Sequence, residues 1–322
     1  MASTVKAGLT TSSLLKSIKR RAMVPDNQNT FTDQDFIDLM NEEMMIGLVP
    51  SVLLTKEEYF IFKQIVPLSS NKSNYPIPER ALANKLREIC FRDNSSKTTG
   101  NEYEMTQIAI DDRYTGLSNG TGSSDFTGFR RFYVMGSDVV LHPSVGPSPY
   151  GALAFYFYLR PNTIVKDSTV AVVTAIDRVT GDITVDNTPS GYNHDAFYDF
   201  VKAKSPHNIL DIDIPVNSII SKKINVNPSN IPADLEVGDF MPLAGQTCVP
   251  NVPTELHMVL AQRVAQRVLE ALGDTEGLNN ASAKIAEMED KLSTMLDNRV
   301  EGAPRKVVNR ALMTGVARNR RR

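Results

Sequence analysis

Between Thr254 and Leu296 the chain reads TELHMVLAQRVAQRVLEALGDTEGLNNASAKIAEMEDKLSTML, and no other stretch constrains its fold as tightly. Leu256, Leu260, Val264, Val268 and Leu272 recur every four residues, with Val259 and Ala265 widening the stripe. After a Gly-Asp turn, Leu278, Ala281, Ile285, Met288, Leu292 and Met295 alternate steps of three and four. Both patterns follow one side of an α-helix. Thr254 stands where an N-cap belongs, Gly273 where a C′ glycine belongs, and Ala261 and Ala265 let a neighbouring helix come close. The stretch is therefore read as an antiparallel αα-hairpin over 254–296.

Two helices of this length are marginal alone and cannot cover both stripes, so the hairpin needs a third partner. The best match lies far upstream, at 32–49. Thr32 is positioned as N-cap with Asp35 at N3, and Phe31 and Phe36 are spaced for a hydrophobic staple. Phe36, Met40, Met44 and Leu48 then form a stripe that Gly47 and Pro50 weaken at its end.

The intervening residues have a different texture. Apolar runs at 59–66, 85–91, 103–110, 132–141, 154–159, 170–176 and 183–185, with shorter pieces at 209–214, 219–226 and 237–243, alternate with turn residues. Many short strands with regular turns indicate an antiparallel sandwich or barrel. The expected fold is α+β: a helical core (helix 32–49 plus the hairpin 254–296), a large antiparallel β-rich insertion, and extended basic terminal arms. Its expected units are an N-terminal arm and linker (1–31), the first part of the helical core (32–56), the insertion (57–250), the hairpin (251–297) and a C-terminal arm (298–322).

Charge is distributed unevenly over the 322 residues. Lys6, Lys16, Lys19, Arg20 and Arg21 lie within 1–22, and Arg305, Lys306, Arg310, Arg318, Arg320, Arg321 and Arg322 within 303–322, with no acid in either segment. Removing those 12 from the 35 basic residues leaves 23 against 37 acidic ones, so the body is near −14. Basic ends on an acidic body point to docking on acidic protein or on phosphate, or to plain solvation. The N-terminal segment superficially resembles a mitochondrial transit peptide but precedes nothing like an organellar enzyme. Residues 12–21 are able to form a short basic helix. In the C-terminal arm, Val307, Val308, Leu312, Met313 and Val316 add apolar character, which suits a segment laid into a partner's groove.

A search for chemistry comes back empty. Cys90 and Cys248 lack metal-ligand spacing and a recognisable histidine partner, so they read as buried thiols. The four histidines include no HExxH, and the Gly/Ser-rich stretch 116–128 lacks the lysine of a phosphate-binding loop. Asp111-Asp112, His194-Asp195 and the Asp211/Asp213 pair, which a regular strand would place on one face, read as loop and strand-edge residues. No run of eighteen apolar residues is present to cross a membrane. The expectation is a protein with no catalytic residue, no cofactor and no metal.

Several stretches in order carry a resemblance: EEYFIFKQIVPL followed by YPIPERALANKLREI, then FYFYLRPN, FYDFVKAKSPHNILDIDI, and VGDFMPLAGQTCVPNVPTELHMVLAQRVAQRVLEALGD leading into AKIAEMEDKL. Over residues 32–310 the chain resembles the head-to-tail connector (neck ring, or adaptor) subunits of tailed bacteriophages. The resemblance implies a non-enzymatic virion protein, assembled in the host cytoplasm as a homo-oligomeric ring of about twelve copies between capsid and tail. It further implies that the ring docks under the portal, meets tail or other neck proteins, and continues a channel through which DNA passes without sequence-specific binding. The basic arm, with Arg305, Lys306, Val307, Val308, Arg310, Leu312, Arg318, Arg320, Arg321 and Arg322, occupies the place of the portal-clasping segment. Leu256, Leu260, Val264, Val268, Ile285, Met288 and Leu292 are expected to pack the hairpins of the ring. The basic N-terminal segment has no counterpart in the family. Rival readings are another tail or collar component, or a nucleic-acid-binding protein using the basic ends.

Overall fold

A computed structural model describes residues 9–25, 30–96, 99–111, 131–142, 145, 150–205 and 207–295, with side chains up to residue 291. The fold is α+β with predominantly antiparallel strands, two of whose short pairings are parallel.

Helices from both ends of the described chain share one apolar cluster. They are α1 (Thr11–Arg21), α2 (Asp33–Glu43), a π-helical turn over Met44–Leu48, α3 (Val49–Thr55), α4 (His257–Leu272) and α5 (Thr275–Met295). The start of α2 is set by its own residues: the Thr32 side chain accepts from the Asp35 amide, and Asp35 accepts from the Thr32 amide at 2.6 Å. The Phe31 and Phe36 rings meet at 5.8 Å, as a staple requires. Thr32→Ala is expected to cost about 0.5–2 kcal/mol in urea unfolding, with Thr32→Ser close to wild type.

The first helical segment does not stop near Pro50. Pro50 sits in the first turn of α3, where its missing N–H costs nothing, and the path continues to Thr55. The π turn re-aims the chain beside α4. Gly47 leaves room there for the Arg263 guanidinium, which a Cβ would push aside. The hairpin turn is equally local: Gly273 adopts φ +71°, and the amides of Gly273 and Asp274 bond the carbonyls of Glu270 and Leu269. That double closure is a Schellman motif. Thr254, by contrast, is not an N-cap. It lies inside a 3₁₀ turn (Thr254–Leu256) and shares a hydrogen bond with the Ser205 hydroxyl.

Residues 11–21 are not part of an arm. Helix α1 buries Leu14 and Ile18 completely and Leu15 nearly so, against α2 and α4. Its N-terminus is held too: Thr11 donates through Oγ1 to the Val165 and Cys248 carbonyls, at 2.7 and 3.0 Å. Its cations stay at the rim while the aliphatic side enters the core.

The strands form two bodies rather than one. Sheet order β1-β8-β3-β4 joins Ile61–Pro67 (β1), Ala81–Arg92 (β3), Glu102–Glu104 (β4) and Ala152–Leu159 (β8). Facing it is β2-β7-β6-β5, made from Asn74–Pro76 (β2), Thr106–Gln107 (β5), Arg131–Met135 (β6) and Asp138–His142 (β7). Phe155, Phe157 and Ile89 of the first sheet share a core with Tyr75, Val139 and Leu141 of the second, which makes a sandwich. The second body is a closed barrel, β10-β11-β14-β13-β12-β15. Its strands are Ala171–Asp177 (β10), Asp182–Val185 (β11), Phe197–Val201 (β12), Ile209–Ile220 (β13), Lys223–Val226 (β14) and Phe240–Met241 (β15). Closure leaves the barrel without a free edge. The apolar run at 219–226 is divided between β13 and β14 by a tight turn in which Ser221 has φ +56°.

A parallel pair between Thr163–Ile164 (β9) and Gln246–Thr247 (β16) links these bodies to the helices. The Asn41 side chain on α2 imitates a strand there, donating to the Ile164 carbonyl at 3.0 Å and accepting from its amide at 2.7 Å.

Candidate functional site

The residues assigned to hairpin packing lie mostly inside the chain. Leu260, Val264 and Val268 are fully buried and Leu256 nearly so, all in the cluster shared with α1 and α2. Ile285 is buried on α5, and Met288 packs partly against the same cluster. The side chain of Leu292 lies outside the described residues. Leu272, placed in the stripe by its spacing, is instead 48% exposed at the helix end. Four of these residues are thus consumed by contacts within one subunit, because α1 covers apolar surface that the sequence reading left for a neighbour.

Outside that cluster α4 carries charge. Glu43 at the end of α2 receives Arg267 Nε at 2.7 Å and lies 3.5 Å from Arg263 Nη1, and Arg263 Nε also donates to Glu289 on α5 at 3.0 Å. Three helices are therefore joined across one face by alternating charges. The residues expected to dock on a portal, Arg305, Lys306, Val307, Val308, Arg310, Leu312, Arg318, Arg320, Arg321 and Arg322, lie outside the described residues, as do Asp112 and the stretch 116–128.

Sequence reasoning missed a buried ion cluster. Asp199, in the middle of β12, is fully buried. Arg80, just before β3, grips it with Nη2 to Oδ2 at 3.0 Å and Nη1 to Oδ1 at 3.3 Å. The same guanidinium reaches Asn162 Oδ1 at 2.6 Å and Asp213 Oδ1 at 2.9 Å. Asp199 also accepts from Asn162 Nδ2 (2.8 Å) and from the amides of Gly245 and Asp213 (both 3.0 Å). Burial alone would lower the pKa of Arg80, but the Asp199 and Asp213 carboxylates outweigh it and raise it above its ordinary value. Sandwich, barrel and the β8–β9 connection meet at this one ion cluster.

The Asp211/Asp213 pair does not share a regular strand face. Asp213 has φ +53°, which breaks the alternation where β13 passes from the sandwich core (Ile212) to the barrel core (Ile214). Asp213 is thereby turned to Arg80. His194 and Asp195 lie 3.3 Å apart on a largely exposed turn.

On the outer face of the first sheet, Glu102 accepts from Tyr156 Oη (2.6 Å), Arg92 Nη1 (2.7 Å) and Lys63. Burial opposes ionisation of Glu102, but Lys63 and Tyr156 prevail and lower its pKa. Cys90, beside this row, is pushed up to about 12 by burial and then by the Glu88 carboxylate. Burial likewise raises Cys248. Thiols so shifted are protonated at neutral pH and are poor nucleophiles.

Among the described residues, no group of three or more His, Cys, Asp or Glu side chains is arranged to hold a metal ion, and no helix is long and apolar enough to cross a membrane. Set against known proteins, the chain matches no family model and no curated sequence, which leaves its own residues and geometry to speak for its function.

Proposed function

We propose that the chain is a structural subunit of a phage neck: a head-to-tail connector protein that assembles as a homo-oligomeric ring under the portal. The observation that supports this best is the path of the chain. Helices at 11–55 and 257–295, separated by two hundred residues whose described elements are mostly strands, pack into one apolar cluster. That is the layout the resemblance implies, a helical core carrying a β-rich insertion. In this reading the acidic body lines or borders the DNA path and repels phosphate, and the basic segment 298–322 docks on the portal. The protein works by geometry, as a rigid gasket, with no catalytic residue and no cofactor.

Electron-microscope imaging of the native particle tests the reading directly. A ring of about a dozen subunits between head and tail is expected; copies along a tail tube, or only free monomers, would discard it. Truncation after Gly302 is expected to leave the fold intact and abolish portal co-sedimentation. Undiminished co-sedimentation would remove the docking role from the basic segment.

Of the rival readings, nucleic-acid binding is the one favoured by a particular feature: Lys16 and Arg20 are exposed on α1. Their neighbours point the other way. Arg21 is spent on Gln262 of α4, and Lys19 pairs with Asp33 at 2.9 Å. DNA binding by this helix would weaken steeply with salt, which a titration at two ionic strengths detects.

A further inference from the structure

Two histidines lie deep in the seam between barrel and helices. His207 follows β12 and His257 opens α4; they are 1% and 0% exposed. Their rings stack, with centroids 5.7 Å apart and planes at 20°. Each ring turns one nitrogen to backbone carbonyls: His207 Nδ1 to Lys202 at 3.3 Å, and His257 Nε2 to Pro250 and Val252, both at 3.2 Å. A carbonyl only accepts, so those nitrogens carry the hydrogen and the opposite ones are bare acceptors. The bare atoms, His207 Nε2 and His257 Nδ1, are buried and have no hydrogen-bond partner among the described residues. Asn251 Oδ1 is likewise buried without a partner among the described residues, while its Nδ2 donates to the His207 carbonyl at 3.4 Å.

The charged groups nearby do not bond either ring. Lys202 and Lys204, on the loop with His207, face Glu236, and Asp239 accepts from the Ala203 amide. Glu255 precedes α4, and Glu58 approaches from the sandwich side. A proton added to either ring would place a cation against the other ring, with no described acceptor within hydrogen-bond distance of its new N–H. Leaving such a charge buried is costly. A cavity of about 290 Å³, lined by His207 and Asn251 with Phe60, Phe62, Pro161 and Ile209, adjoins the pair. It offers water, or a displaced charged ring, a place to go.

We infer that the His207–His257 stack is an acid-sensitive latch, holding the barrel's loop after β12 against the start of α4 while neutral and releasing it when either ring is protonated. Burial first, and the proximity of His207 second, lower the pKa of His257 to about 4, and burial lowers that of His207. The ordinary value is 6.5, so between about 4 and 6.5 the unfolded state binds more protons than the folded one. The latch therefore contributes fully above 6.5 and is lost as pH falls toward 4.

Hydrogen exchange on the full chain reads this out, through the amides of Lys202, His207 and Leu256, which bond Asn208, Lys204 and Pro253. After correction for intrinsic rates, these amides are expected to lose at least about tenfold in protection between pH 7 and 4.5, ahead of the barrel strands. The double variant His207→Gln/His257→Gln, neutral at every pH, should remove that dependence. Equal protection of the wild type at both pH values, or the same loss in the double variant, overturns the latch. Should a variant fail to fold, ring NMR of the wild type decides. A His257 ring that stays neutral until protection is lost supports it; one that charges near 6.5 with protection intact overturns it. None of these outcomes depends on ring assembly.

Discussion

Asp199→Ala is expected to cost about 3–5 kcal/mol of stability, the range for removing one partner of a buried, hydrogen-bonded ion pair. The side chain is fully enclosed and accepts from Arg80, Asn162 and two backbone amides; its loss would leave both amides without this acceptor and Arg80 with Asp213 as its remaining carboxylate. Arg80 is itself only 16% exposed, so water cannot take over that role cheaply. Asp199→Asn retains an acceptor but not the charge, and should fall between alanine and wild type. Urea unfolding followed by circular dichroism gives the difference from the shift in midpoint at constant slope. A loss under about 1 kcal/mol would mean that the pair behaves like a surface salt bridge and that the joint is held by apolar contacts alone.

The second large effect concerns α1. Leu14→Ala and Ile18→Ala are each expected to destabilise by about 2–5 kcal/mol, since both side chains are completely buried and their loss opens cavities against α2 and α4. Removing residues 1–21 should expose the α4 stripe, giving a chain that aggregates or binds apolar dyes. A truncated protein as stable as the full chain would restore the expectation of a free basic arm. The same burial makes Leu260→Asp a test of folding: at 0% exposure inside the chain, that substitution is expected to prevent folding, so the proposed ring assembly is better probed on residues outside the cluster.

Some of this architecture was readable from residues alone because the physics involved is local. A threonine three residues before an aspartate closes a capping box by itself, and Gly273 takes a left-handed conformation that other residues resist. The four-residue period of α4 needs no knowledge of the partner to mark the side that will be buried. Strands around 61–66, 132–141, 154–159 and 170–185 were legible for the same reason: alternation and turn residues act within a few positions.

What the sequence did not disclose depends on partners distant along the chain. Residues 11–21 read as basic because cations outnumber their few aliphatic positions, and only the waiting surface of α2 and α4 makes that helix part of the core. The β12 strand escaped notice because FYDFV carries an aspartate at its centre, a residue that strands disfavour unless it is paired. Its partner, Arg80, is 119 residues away. The division of the strands into a sandwich and a closed barrel is likewise set by which edges meet, not by any strand's own pattern. By itself, then, the sequence determined where the α2 cap, the turn between α4 and α5 and most strands lie, since backbone hydrogen bonds and periodicity act over a few residues. Tertiary structure alone decided which helix completes the core, which charges are buried and how the histidines stack, because the free energy of burial depends on the surface brought in from elsewhere.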